Sequence, residues 1–156
     1  MKNIYLDNAA TTQLRAEVIS EMIAVLQNSF GNPSSSHSFG RSAKSILETS
    51  RKLISKILGC TAQEIIFTAN ATEATNWILK NAVENLNVSR IITSKIEHHA
   101  TLYMVLELQK TKNIIVDYVT VLPNGQLDIN DLVNLLSKSN EHTLVSLMHV
   151  NNEIGT

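Results

Sequence analysis

Residues 16–29, "AEVISEMIAVLQNS", set Val18, Met22, Val25 and Leu26 near one side of a 3.6-residue period with polar residues between them, which predicts a helix. Residues 41–59, "RSAKSILETSRKLISKILG", resume that period through Ile46, Leu47, Leu53, Ile54, Ile57 and Leu58, and Gly59 follows as a C-cap signal. The stretch between them, "SFGNPSSSHSFG" (29–40), collects glycine, proline and serine and reads as a loop. Four apolar, β-branched-rich runs of strand length follow: "EIIFTA" (64–69), "RIITS" (90–94), "IIVDYVTV" (114–121) and "TLVSLMHV" (143–150). Helical stretches separate them: "ATEATNWILKNAV" (71–83), "ATLYMVLELQK" (100–110) and "INDLVNLLSK" (129–138). This alternation predicts an α/β layer structure, a mostly parallel sheet with flanking helices. "LPNGQLD" (122–128) reads as a turn, and a hairpin there is not required.

Composition narrows the picture. With 156 residues, 44% of them hydrophobic, the chain suffices for one domain with a real core, or one piece of a larger domain. Thirteen basic and 14 acidic residues give a net charge of −1, which provides no footprint for a nucleic-acid backbone or an anionic membrane. No stretch is long and apolar enough to span a bilayer, and "MKNIYLDNAATT" lacks the continuous apolar core of a leader, so a cytoplasmic location is expected. A lone cysteine, Cys60, cannot build a disulfide framework or a multi-cysteine metal site.

In an open parallel sheet, ligands gather outside the carboxyl ends of the strands, and three such ends carry concentrated polar chemistry. In "FTANATEATNW" (67–77), a helix start near Asn70 aims the N–H groups of Ala71, Thr72 and Glu73 outward beside the Thr72 hydroxyl. The plainer reading of the same residues, favoured by the commonness of caps, is a helix cap, with Asn70 as N-cap and Glu73 three positions on; neither nucleotide-loop fingerprint is present. In "SKIEHHA" (94–100), His98 and His99 are adjacent and point apart, without the i, i+4 spacing of a helical metal pair. An imidazole there suits stacking on a planar ligand or proton transfer, against the plainer role of a cap or solvated surface group. Asn151, Asn152 and Glu153 emerge behind the apolar "TLVSLMHV"; an amide orients a ligand without adding charge, and asparagine pairs also form ordinary turns.

Five motifs in order resemble those of the cysteine desulfurases, of the class V aminotransferase family of pyridoxal phosphate enzymes. They are "YLDNAATT" (5–12), "FGNPSSSHSFGRSA" (30–43), "EIIFTANATEATN" (64–76), "ITSKIEHHA" (92–100) and "SLMHVNNEIG" (146–155). The resemblance covers essentially the whole chain. It implies pyridoxal 5'-phosphate as cofactor, with Ala71 and Thr72 at the phosphate. His98, rather than His99, would stack on the pyridine ring and assist proton transfer. Asn152 would lie beside the cofactor's phenolic oxygen and the substrate carboxylate, with Asn151 and Glu153 supporting that turn. Residues 7–12 and 32–37, with Asn32 as a substrate contact, correspond to stretches near the active-site mouth and the dimer contact. Residues 1–15 would be an N-terminal arm, and 16–156 the first part of the large cofactor-binding domain.

The implied reaction takes sulfur from L-cysteine, leaving alanine and an enzyme persulfide. A homodimer would pass the sulfur to an acceptor protein such as an iron-sulfur scaffold, and no nucleic acid, membrane or metal is called for. One departure is Asn70, which stands where the family usually has glycine; asparagine also tolerates left-handed geometry, and its side chain competes for the helix-end donors. Relatives carry the cofactor-binding lysine, the aspartate at the pyridine nitrogen and the sulfur-accepting cysteine beyond the "NNEIG" motif. Residues 1–156 are therefore expected to be an N-terminal portion, inactive alone. Lys95 and Cys60 match neither the lysine nor the cysteine, and Cys60, behind an apolar helix end, reads as structural. A selenocysteine lyase or another class V aminotransferase would share these motifs. A non-catalytic binding or dimerisation module, or a metal-binding module on His98 and His99, are the readings from other classes.

Overall fold

The computed structural model describes residues 3–156, and backbone contacts divide it into two units meeting between Phe67 and Thr68. In the first unit, α1 (Ala16–Asn28) follows its predicted bounds and buries none of its residues. Helix α2 (Ser38–Leu58) starts three residues before the predicted Arg41, because His37 acts as N-cap: its Nδ1 accepts the Gly40 N–H at 3.3 Å. Gly40 allows the preceding loop to close on this first turn, since a Cβ there would sit 2.4 Å from the Ser35 carbonyl oxygen and 2.6 Å from that of Asn32. Gly59 ends α2 in the left-handed region at φ 68°, as its position predicted.

Beyond it, Thr61 and Glu64 form a capping box around a 3-10 turn, Ala62–Glu64. The predicted strand at 64–69 does not form. Ile65 has extended dihedrals (φ −93°, ψ 121°), yet no strand among the described residues pairs with the segment, and Ile66 and Phe67 are 62% and 44% exposed. Its composition favours a pleated, half-buried surface, and that preference produces a strand only where a neighbour supplies the ladder. The Arg51 guanidinium holds it instead, bonding the Ile65 carbonyl and lying 4.8 Å over the Phe67 ring.

The second unit is an α/β layer. Strands β1 (Arg90–Ser94), β2 (Ile115–Val119) and β3 (Thr143–Val145) form a parallel sheet in the order β2-β1-β3. Central β1 is buried at every residue, Arg90, Thr93 and Ser94 as well as the two isoleucines, as a strand covered on both faces should be. Successive residues serve opposite faces. Ile91 packs with Leu79, Val105, Leu108 and Ile114, on the side of α3 (Ala71–Asn85) and α4 (His99–Lys112). Ile92 packs with Val119 and Leu135, on the side of α5 (Ile129–Ser137). Full burial of each isoleucine is worth about 1.5–3 kcal/mol, so this pair fixes the register of the central strand.

A cross-strand ion pair adds to that register: Arg90, almost fully buried, donates from Nε to Asp117 Oδ2 at 2.7 Å. The 122–128 turn closes a small hairpin, with Val121 bridged antiparallel to Leu127 and Gly125 at φ 82°. Strand β3 is three residues long, where eight were predicted. Its ladder to β1 ends at Val145 opposite Ile92, and the Ser146 N–H adds one bond to the Ile92 carbonyl at 2.9 Å. The next inward N–H, that of Met148, goes to the Glu97 carboxylate, so the apolar run continues while the ladder stops. No helix among the described residues is long and apolar enough to cross a membrane.

Candidate functional site

Because β1 and β3 are parallel neighbours, their carboxyl ends share one edge of the sheet. The loop after β1 carries His98, and the turn after β3 carries Asn152. Helix α3 packs against α4 and returns to β1 through residues 86–89, which brings its N-terminus, Ala71 and Thr72, to that same edge. All four residues are exposed. Asn32 belongs to the first unit, where its Oδ1 accepts the Ser34 N–H at 2.9 Å and its carbonyl the Ser35 N–H at 2.9 Å.

The N-terminus of α3 is capped and still open. Asn70 Oδ1 accepts the Glu73 N–H at 2.9 Å, and the Glu73 carboxylate reaches back to the Ala69 N–H at 2.7 Å, one residue before the usual capping-box partner. Asn70 is extended at φ −165°, so this position demands no left-handed residue. Ala74 makes the first helical bond, to the Asn70 carbonyl. The N–H groups of Ala71 and Thr72 find no acceptor among the described residues and lie at the positive end of a 15-residue helix. The cap is therefore formed, and it leaves these two donors unoccupied.

The two histidines separate cleanly. His99 stacks on Tyr103 one turn later, with centroids 5.4 Å apart and rings 14° from parallel. His98 is the N-cap of α4; its Nδ1 accepts the Ala100 N–H at 3.1 Å, which in the neutral ring assigns the proton to Nε2 and leaves that edge outward. The i, i+4 spacing of His99 and Tyr103 was a legible signal for which imidazole is already engaged. Lys95 lies with its Nζ 6.0 Å over the Tyr118 ring. Among the described residues, no group of three or more His, Cys, Asp and Glu side chains is placed to hold a metal.

The asparagine pair divides its work as well. Asn151 is 5% exposed: its Nδ2 donates to the Ile96 carbonyl at 2.7 Å, and its Oδ1 accepts the Glu153 and Ile154 N–H groups at 2.8 and 3.1 Å. Asn152 is exposed, with one 3.2 Å bond to the neighbouring Glu153 carboxylate. Glu97 is a residue that the motif reading passed over. It is 9% exposed, and it accepts the Met148 N–H. Desolvation pushes its carboxyl above the ordinary range, partly offset by the bonds from Met148 and Thr101.

The α/β unit thus carries helix-end N–H groups without an acceptor among the described residues, an exposed imidazole and an exposed amide along one sheet edge. The class V aminotransferase model matches residues 4–156, and the chain belongs to that family. It is 43% identical to a cysteine desulfurase IscS of Dictyoglomus turgidum across 99% of this chain and 39% of that protein. It is 37% identical to a selenocysteine lyase of Xenopus laevis across 97% of this chain and 39% of that protein. A solved NifS-like protein superposes with a TM-score of 0.88 at 39% identity, over 96% of this chain and 41% of its own. The chain thus spans about two fifths of the length of the relatives it matches.

Proposed function

We propose that this chain is the cofactor-holding portion of a pyridoxal phosphate-dependent cysteine desulfurase acting on L-cysteine. The observation that carries this reading is the pair of free N–H groups at Ala71 and Thr72 on the same sheet edge as exposed His98 and Asn152. These groups fit the cofactor: two N–H donors and the helix dipole suit a phosphate dianion, and the imidazole suits a flat ring. Pyridoxal phosphate supplies an electron sink that loosens the bonds at the substrate α-carbon.

The chain's own residues do the rest. Ala71 and Thr72 bind the phosphate through their N–H groups, and the Thr72 hydroxyl adds a donor. His98 covers the ring and moves a proton through Nε2, the nitrogen not engaged by Ala100. The Asn152 amide, held by the Asn151 turn, donates toward the ring oxygen and the substrate carboxylate. The overall change takes L-cysteine and an enzyme thiol to alanine and an enzyme persulfide. The sulfur then passes to an acceptor such as an iron-sulfur scaffold, and the enzyme works as a cytoplasmic homodimer. No residue within 1–156 is assigned as the cofactor-binding lysine or the accepting cysteine, so these residues by themselves are predicted to form no alanine.

The test is to express the complete protein from its gene, reconstitute it with pyridoxal phosphate, and follow visible absorbance and alanine formation from L-cysteine. A protein that takes up no cofactor and forms no alanine refutes the reading. The Xenopus relative favours a second reading, selenocysteine lyase. Turnover of L-selenocysteine with none of L-cysteine would select it.

A further inference from the structure

We propose that Glu97 is a positioning residue for this site: its carboxylate clamps the turn after β3 to the loop after β1, keeping His98 and Asn152 in fixed register. The proposal rests on the pyridoxal phosphate site described above. Two bonds run between these segments, each donated by the turn after β3 and accepted by the loop after β1. The Met148 N–H donates to Glu97 Oε1 at 2.5 Å, and the Asn151 amide donates to the Ile96 carbonyl at 2.7 Å. Glu97 is flanked by Ile96 and His98, and Asn151 by Asn152, so each clamp residue directly adjoins a site residue. Thr101, in the first turn of α4, is buried as Glu97 is. One side chain therefore joins the β1 loop to the β3 turn.

The backbone offers no substitute. The β1–β3 ladder has ended by Ser146, two residues before Met148 and six before Asn152. Removing the acceptor leaves the N–H of half-buried Met148 without the carboxylate it now bonds. A shift of about 1 Å in a positioning element is enough to cost on the order of 100-fold in rate.

The test uses the complete protein with E97A, E97D and E97Q. Three quantities are read: hydrogen exchange at the Met148 amide without cofactor, the visible circular dichroism of bound pyridoxal phosphate, and kcat and KM for L-cysteine. Aspartate falls one methylene short of Met148, and alanine removes the acceptor; both are expected to speed Met148 exchange at least tenfold, alter the dichroism, and lower kcat about 10- to 100-fold with KM within a few-fold. Glutamine keeps an acceptor oxygen and is expected to restore all three to within about threefold of wild type. If E97A is recovered unfolded, E97D decides.

Unchanged Met148 exchange in E97D overturns the clamp. Faster exchange with unchanged dichroism and kcat overturns the positioning role. An E97Q protein that protects Met148 yet loses kcat as E97A does also overturns it, since the charge itself would then be acting. A wild-type protein that binds no cofactor and forms no alanine refutes the site reading and the positioning role with it, while Met148 exchange still reports separately on the clamp.

Discussion

Replacing Ala71 by proline separates phosphate binding from folding. Ala71 is the first residue of α3, the one helical position where proline's missing N–H and fixed φ are tolerated. The residue before a proline must be extended, and Asn70 already is, at φ −165° and ψ 171°. The Ala71 N–H has no acceptor among the described residues, so no protein bond is lost. The helix should therefore keep its stability to within about 0.5 kcal/mol. What disappears is one of two free N–H donors. A hydrogen bond to a charged group is worth about 1.5–3 kcal/mol, so pyridoxal phosphate affinity should fall about 10- to 100-fold. Equilibrium titration of the apo protein, followed by visible absorbance and paired with urea unfolding, measures both quantities. Unchanged affinity in a folded A71P protein would refute the assignment of the phosphate to this helix end.

Replacing Asn70 by glycine should release the Glu73 N–H that Asn70 now occupies, raising cofactor affinity severalfold in the same titration for a few tenths of a kcal/mol of stability. Asn151→Ala removes two donated and two accepted bonds at a buried residue and should cost about 3 kcal/mol in urea unfolding. Asn152→Ala, at an exposed residue, should cost less than about 0.5 kcal/mol while lowering kcat/KM; equal destabilisation by the two would contradict the division of work between them. For pH, the Glu97 carboxyl is raised in the folded protein, so between the ordinary value of 4.5 and its raised value the folded state holds more protons than the unfolded. Its contribution to stability is full below 4.5 and is lost as pH rises through the raised value. Wild type should thus lose stability relative to E97Q over that window, and parallel stability curves would rule this out. Asp117→Ala leaves the buried Arg90 guanidinium unpaired and should cost about 3 kcal/mol in urea unfolding, whereas the double change to Arg90→Met and Asp117→Ala should recover much of the loss.

Where local propensity and tertiary environment agree, the elements follow from the residues. Strand β1 carries two adjacent isoleucines and is buried throughout, and α3 begins at the residue its cap predicts. The two misread strands fail for one reason. Residues 64–69 have strand composition without a pairing strand among the described residues, and residues 146–150 continue an apolar run after the ladder has ended. Amino-acid type records a preference for a pleated surface, while a strand also requires a neighbour whose backbone presents donors and acceptors in register. That neighbour is a property of the whole fold, and at Met148 it is displaced by a side chain.

The same distinction explains what could be read of the site. Ala71, Thr72, His98 and Asn152 occupy strand ends and helix starts, places that local sequence marks well, and each is exposed toward the edge where a ligand would lie. Glu97, one more charge in "SKIEHHA", looks like a solvated group until Met148, 51 residues away, is placed against it. Asn151 likewise acquires its meaning from the Ile96 carbonyl 55 residues earlier. Exposed site residues carry their chemistry in their type, whereas the residues that hold them act through partners distant in the chain. Register between the His98 and Asn152 motifs is therefore set by two buried polar side chains, and substitutions at either should disturb both motifs together.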